Sequence, residues 1–502
     1  MTSNPSLIPD LIRIHADDSV AVALRPIAAG ERVTLAGKAI TALEAVPQGH
    51  KLALRDHAMG EAVIKFGQPI GKASTAIATG KHVHTHCLVT GLSGELAYGA
   101  RRAGTSATAS LSASSLSWQG YLRDDGRGAT RNEIWILPTV GCVGITAEQV
   151  AREASVRHAG KVDGIYAFSH PHGCSQLGDD LDGTRALLAG LAANPNAAGV
   201  LLLGLGCESN QLDALVSAVP AAARSKLRLL SSQAAGDEIA EAARLIDELV
   251  AQASVWRRQE LPLSLLTVGL KCGGSDGLSG LTANPLLGRL SETLASAGGR
   301  VVLTEIPEIF GAEQALLDRA TSAEVFDDAA ALINRFKRYY LDQGLPVSEN
   351  PSPGNLAGGI TTLEEKSLGA VQKAGQTPLS GVIAYGQQAM AQGLTLLEAP
   401  GNDAVSSSAL AAAGATLVLF TTGRGTPLGF PVPTLKIASN HALAAAKPHW
   451  IDFDAGRVLS EDPAVVDQAF LQAIITHASG TPSAAERAGQ RAIAIWKRGV
   501  TL

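Results

Sequence analysis

The sequence predicts a two-part α/β molecule, a small all-β module at the N-terminus followed by a larger body of one or two parallel α/β units. Three observations carry this. Between residues 11 and 90, short alternating runs are separated by Gly and Pro turns, with almost no helical periodicity. Residues 91–119 are rich in Gly, Ala, Ser and Thr and end on SATASLSASSLS and two further residues, the composition of a linker. From residue 120 onward, continuous apolar runs alternate with Ala- and Leu-rich stretches, the pattern of parallel strands covered by helices on both faces.

Taken in order, the β module is expected to hold strands at 12–15, 20–24, 31–35, 51–54, 63–66 and 82–86. Its segments GHKLALRD, GEAVIKFGQPIGKA and GKHVHTH each place a glycine ahead of a strand. A first α/β domain, 120–260, has strand runs at 134–137, 164–168, 199–203 and 227–230 and a helix near 237–252. A second, 261–502, begins after the polar RRQELP break, with strand runs at 265–270, 300–304, 381–385, 394–398, 416–421 and 434–437. The pattern does not say whether these runs form one sheet or two. Residues 479–502 read as a peripheral helix and tail.

Bulk properties narrow the class. A chain of 502 residues is too long for one core. With 46% hydrophobic and 17% charged residues it reads as a soluble globular protein, and a net charge of −5 leaves no nucleic-acid footprint. No run reaches the roughly eighteen apolar residues of a membrane span. The opening MTSNPSLIPDLIRI lacks a basic segment followed by an apolar one, so a cytoplasmic enzyme is expected. Five cysteines, an odd number without an export signal, point to free thiols or metal ligands rather than disulfides.

Ligands of parallel α/β sheets collect beyond the carboxyl ends of the strands. Four cysteines fall there, each beside glycine: Cys142 in PTVGC, Cys174 in SHPHGCSQLGDD, Cys207 in GLGCESNQ and Cys272 in KCGGSDGLSG. A lone cysteine is usually core filler, but four at strand ends suit iron or an iron-sulfur cluster, which prefer sulfur donors. The same loops carry His170, His172 and Asp276. In HVHTH, His82, His84 and His86 share one face of a strand, as metal ligands or as an incidental strand end. GLGCES starts as a dinucleotide fingerprint but has Ser209 where the third glycine belongs. Residues 350–375 form a Gly- and Pro-dense loop running into TTLEEK, where a threonine caps a helix and places Lys366 in its first turns. Arg424, between two glycines in TTGRGTP, is suited to a carboxylate, or is simply part of a turn.

Longer motifs add a resemblance. IRIHADDSVAVAL, GHKLAL, IKFGQPIG, HVHTH, RNEIWILPTVGCV, FSHPHGCSQLGDD, GLGCESNQ, CGGSDGLSGLTANP, TEIPEIFGAEQ, ENPSPGNLAGGITTLEEKSLG, APGNDAVSSSA, FTTGRGTPLG, HWIDFDAG and the terminal GVTL resemble the altronate/galactarate dehydratase family from about residue 11 to the end. The resemblance implies an N-terminal SAF (β-clip) module and an α/β catalytic body that removes water from a sugar acid. D-altronate would give 2-dehydro-3-deoxy-D-gluconate in hexuronate catabolism, with iron, as Fe2+ or a cluster, as cofactor. HVHTH and SQLGDD look more like the altronate branch than the galactarate branch. Cys87 stands where the family typically has asparagine, which removes it from the ligand set.

The expected roles follow. Cys142, Cys174, Cys207 and Cys272 hold iron. Lys366, its pKa lowered by its pocket, takes the C2 proton, and His170 or His172 protonates the leaving hydroxyl. Arg424, Lys373, Asn355 and Asp276 bind substrate, while His84 and His86 cap the cleft or hold a second metal. Galactarate dehydration, a sulfolactate sulfo-lyase activity and a non-catalytic sugar-acid binding protein are the alternatives. A homo-oligomer is compatible with the sequence.

Overall fold

The computed structural model describes residues 9–99 and 116–502. Its N-terminal module is all-β. A four-stranded antiparallel sheet has the order Leu11–Ile12, Val20–Ala23, Lys51–Ala53, His82–Val83. It is flanked by the hairpin Arg32–Leu35 with Lys38–Thr41, and by a sheet of Ala62–Lys65, Gln68–Ala73 and Leu88–Val89. Both hairpins turn on a residue pair with positive φ, Ala36–Gly37 and Phe66–Gly67. Two consecutive left-handed residues match the right-handed twist of the flanking strands.

The body holds two parallel sheets rather than one. The smaller has the order Gly164–Ala167, Glu133–Pro138, Ala197–Gly204, Leu227–Ser231. The larger has seven strands, in the order Leu379–Ile383, Gly393–Leu397, Arg300–Leu303, Thr267–Cys272, Leu417–Thr422, Thr434–Ala438, Phe453–Asp454. Central strands such as Glu133–Pro138 and Leu417–Thr422 are buried along their whole length, as strands covered on both faces must be. Of the expected linker, residues 100–115 lie outside the described residues. Its last residues belong to the strand Ser117–Leu122, which pairs with Gln259–Pro262.

The two units are joined by helix packing. Helix Gly178–Ala193 lies against helix Asp403–Ala412, with Gly190 close to the Ala412 carbonyl. Asn194 donates from Nδ2 to the carbonyls of Ala411 and Ala415.

The C-terminal stretch is not peripheral. After the short helix Ala484–Arg487, the Arg491 guanidinium reaches the buried Glu133 carboxylate at 2.8 Å. Trp496 stacks on Phe336, and the backbone amides of Arg498 and Gly499 donate to Asp180. The amide of Leu502 donates to the Ser175 carbonyl beside Cys174. Composition hid this docking because the tail's contacts are made singly, across long sequence separations.

Candidate active site

The carboxyl end of the larger sheet gathers charge. Strand Thr267–Cys272 ends on Lys271 and Cys272, both buried. Beyond strand Arg300–Leu303, Glu305 sits at φ +67 and a short turn, Ile306–Ile309, brings Glu308 round to the same place. A non-glycine residue held left-handed costs of order 1–3 kcal/mol, and such residues cluster at functional sites. From the other side comes helix Leu363–Ala370, capped by the Thr362 side chain as the sequence suggested, with Lys366 in its first turn. Lys373 follows in the turn Val371–Ala374.

These residues make one continuous chain. Lys366 Nζ lies 2.8 Å from Glu308 Oε1. The Cys272 thiol donates to Glu308 Oε2 at 2.9 Å, and its sulfur accepts from Lys373 Nζ at 2.9 Å. Lys373 also meets Glu305 Oε2 at 3.2 Å, and Glu305 Oε1 pairs with Lys271. Lys271 reaches Asp403 Oδ1 at 2.9 Å, and Asp403 is 41% exposed. The chain therefore runs from Lys366 through buried groups to solvent at Asp403. Three ammonium groups face three carboxylates, so the desolvated charges are compensated.

The electrostatics differ from the sequence expectation. Burial opposes the charge on Lys366, but Glu308 beside it prevails and raises its pKa instead of lowering it. The direction is opposite to the lowering expected from the sequence. Burial likewise opposes ionisation of Glu308, yet Lys366, Lys271 and Lys373 hold it at about 2. Burial and the adjacent Glu308 push Glu305 up. Burial, then the two glutamates, push the Cys272 thiol up to about 12.

The other expected substrate ligands are distributed as follows. Lys373 lies inside the chain, fully buried, with its ammonium on Cys272 and Glu305. Asn355 receives Lys366 Nζ at 3.2 Å on Oδ1 and donates from Nδ2 to the Ser275 carbonyl, so it positions the lysine. The Asp276 carboxylate is saturated by Ser279, Ser439 and Asn440 and organises its own turn. Arg424 packs its Cβ region near Gly274, is exposed, and its guanidinium has no polar partner among the described residues.

The β module roofs this region. Lys51 and Lys65 of the module converge on the Glu365 carboxylate at 2.8 and 2.7 Å, both buried. Burial opposes the charge on Glu365, and the two lysines override it to hold the carboxylate at about 2. The cavity beside Lys366, between Phe66 and Gly280, holds only about 10 Å³. That is room for about one water.

The smaller sheet presents a different edge. Cys174, Cys142 and Cys207 follow three adjacent strands, and all three are exposed. Gly173, at φ +102, lets the Cys174 loop lie against Thr139, where a Cβ would fall 2.1 Å from a carbonyl oxygen. Cys142 and Cys174 border an open cavity of about 570 Å³ with His170 and Glu148. Cys207 accepts a long contact from Gln233 at 3.5 Å. The four cysteines thus do not surround one point, because Cys272 is enclosed on the other sheet. His170 is committed, with Nε2 donating to the Pro138 carbonyl at 2.8 Å and Nδ1 accepting from the His172 amide. Burial lowers its pKa to about 4. His172 is less buried, and burial lowers its pKa as well.

Sequence reasoning missed Lys271, Glu305, Glu308 and Asp403. Glu305 and Glu308 stand in TEIPEIFG and Asp403 in GND, both visible as motifs, but Lys271 is hidden at the end of an apolar strand.

A buried array of acids and bases at a parallel sheet's carboxyl end, roofed by the β module, is the equipment of an enzyme that moves protons. Family comparison agrees along the chain. Residues 9–91 match the altronate/galactarate dehydratase SAF domain, 120–254 the second domain of D-galactarate dehydratase/altronate hydrolase, and 263–501 the D-galactarate/altronate dehydratase C-terminal domain. The chain is 46% identical to an altronate dehydratase of Bacillus subtilis (strain 168), over 98% of this chain and 99% of that one. It is 46% identical to an altronate dehydratase of Escherichia coli (strain K12), over 98% and 99%. To the galactarate dehydratase (L-threo-forming) of the same E. coli strain it is 30% identical, over 90% and 89%. The chain belongs to the altronate/galactarate dehydratase family and is a hydro-lyase.

Proposed function

We propose that this enzyme dehydrates D-altronate to 2-dehydro-3-deoxy-D-gluconate, and that the Lys366–Glu308 pair performs the proton transfers. The observation that carries the mechanism is the 2.8 Å contact between these two groups at the cleft end of a buried charged chain. Removing water means taking the C2 proton and expelling hydroxide from C3. Lys366, held protonated, donates to the departing C3 hydroxyl, which leaves as water. As its positive partner is discharged, Glu308 loses the field that keeps its pKa low and becomes able to accept the C2 proton. Transfer of that proton from Glu308 to Lys366 restores the pair. The enol then becomes the 2-keto acid by moving its hydroxyl proton to C3. Asn350 and Asn355, at 3.0 and 3.2 Å, aim the lysine, and the chain to Asp403 connects the pair with solvent. Arg424 supplies a guanidinium for the substrate carboxylate.

Cys142, Cys174 and Cys207 offer iron three exposed sulfurs on neighbouring strand ends, but these are not gathered within 4.8 Å of one another. A second set of donors is already gathered at the larger sheet, where Cys272 Sγ and carboxylate oxygens of Glu305 and Glu308 lie within 4.8 Å of one another. Bound there, iron would supply Lewis acidity toward substrate oxygens. The enzyme works on a free small molecule, and a cytoplasmic setting suits its unpaired thiols.

The test is an anaerobic assay of the iron-loaded full chain on D-altronate, galactarate and sulfolactate. The expected result is a 2-keto acid formed fastest from D-altronate. Folded, iron-loaded protein that acts faster on either of the others, or binds altronate without product, would overturn the reading.

A further inference from the structure

The β module contains a second constellation that the acid–base chemistry does not use. Strand Lys51–Ala53 pairs antiparallel with His82–Val83, in the register Lys51↔Val83 and Leu52↔His82. Extending it by one residue puts His50 opposite His84, and alternation puts His82 and His84 on the same face. The three rings meet, with centroids 5.1 Å apart for His50 and His82, 4.9 Å for His50 and His84, and 5.5 Å for His82 and His84. One ring nitrogen from each lies within 4.8 Å of the others. His86 is not part of this group and faces Glu44 at 3.9 Å, so the pair expected from HVHTH is corrected to a trio completed by His50.

The outward nitrogens are held as they are around a bound metal. His84 Nδ1 contacts Thr361 Oγ1 at 3.0 Å, and His50 Nε2 faces the Ala357 carbonyl at 3.5 Å. Partners on the far nitrogen fix the tautomer and turn the near one inward. Inside the trio, His50 Nδ1 and His82 Nε2 are 3.0 Å apart. No carboxylate belongs to the group, and the neighbouring Lys51 turns its ammonium away onto Glu365. We infer that His50, His82 and His84 bind one divalent transition-metal ion of the kind that prefers imidazole, such as Zn2+ or Co2+, and not Mg2+ or Ca2+. Thr361 and Ala357 belong to the loop that carries Asn355 and leads to Lys366. Through these contacts the ion ties the β module to the segment that carries Asn355.

Metal-free full-length protein titrated with Co2+ tests this. In the triple variant Cys142→Ser/Cys174→Ser/Cys207→Ser, which removes the exposed thiols as competing ligands, the expected result is one tightly bound equivalent with visible d–d bands and no sulfur-to-cobalt charge-transfer band. His50→Gln, His82→Gln and His84→Gln should each weaken that equivalent about tenfold or more, the range seen when ligand shells are disturbed. His86→Gln, in the same strand end, should leave it unchanged. Circular dichroism confirms that each variant is folded. Co2+ binding unaltered by the three histidine substitutions in folded protein, or lost equally with His86→Gln, would overturn the inference.

Discussion

At the carboxyl end of the four-stranded sheet three thiols stand in solvent beside an open cavity, whereas at the carboxyl end of the seven-stranded sheet the fourth thiol is closed in between Lys373 and Glu308. The same residue type at the same topological position therefore serves two kinds of chemistry. An exposed sulfur with only weak neutral neighbours is available to a metal. A sulfur enclosed by an ammonium and a carboxylate takes its place in a hydrogen-bonded chain. What separates the two is the company each strand end keeps. Glu305 and Glu308 arrive from one neighbouring turn and Lys366 and Lys373 from another, whereas the buried glutamate of the smaller sheet, Glu208, is bound by Thr139 and backbone amides.

The contrast between the two edges is tested hardest at the buried one. Glu308→Gln keeps the shape but removes the proton acceptor and the partner of Lys366, and is expected to lower kcat on D-altronate by about 10²–10⁴-fold, the usual weight of general acid–base catalysis. Steady-state assay of iron-loaded protein checks this, and a variant within about threefold of wild type would detach the chain from turnover. Glu305→Ala leaves Lys271 and Lys373 without a buried counter-charge, so a loss of about 3–5 kcal/mol is expected, read as a lowered thermal midpoint.

Acid reaches the same features from another direction. Glu308 and Glu365 both have folded pKa values of about 2, below an ordinary glutamate. A depressed carboxylate contributes stability that is present above its unfolded pKa and lost as pH falls through its folded one. Thermal midpoints should therefore drop between about pH 4.5 and 2. Glu365→Gln should flatten that limb, since it removes the group that Lys51 and Lys65 clasp; an unchanged limb would contradict the assignment.

The smallest effects are expected at the open edge. Cys142→Ser, Cys174→Ser and Cys207→Ser should each change stability by under about 0.5 kcal/mol, as surface substitutions do. In metal-free native protein those three thiols should react quickly with a thiol reagent, while Cys87 and Cys272 react only on unfolding. Fast reaction of Cys272 would mean that its enclosure opens readily.

Much of the architecture was legible in the chain, because strands buried on both faces read as unbroken apolar runs and the β module as short alternating ones. The cysteines at the strand ends and the Thr362 cap were visible too. The pairing of the two sheets was not, since it depends on contacts such as Asn194 with Ala411 that no local pattern signals. Within the site, Lys366 could be picked out, but the sign of its pKa shift could not, because that sign comes from Glu308, 58 residues earlier in sequence. His50 was likewise hidden until strand register set it opposite His84.

Proton donation by Lys366 is the step on which the proposed reaction depends most, and amine rescue of Lys366→Ala isolates it. The variant, with circular dichroism and iron content matching wild type, should lose about 10²–10⁴-fold in kcat. Small alkylamines should restore part of the loss, in an order set by their size and acidity. Wild-type turnover without added amine would contradict the assignment of Lys366 as the donor.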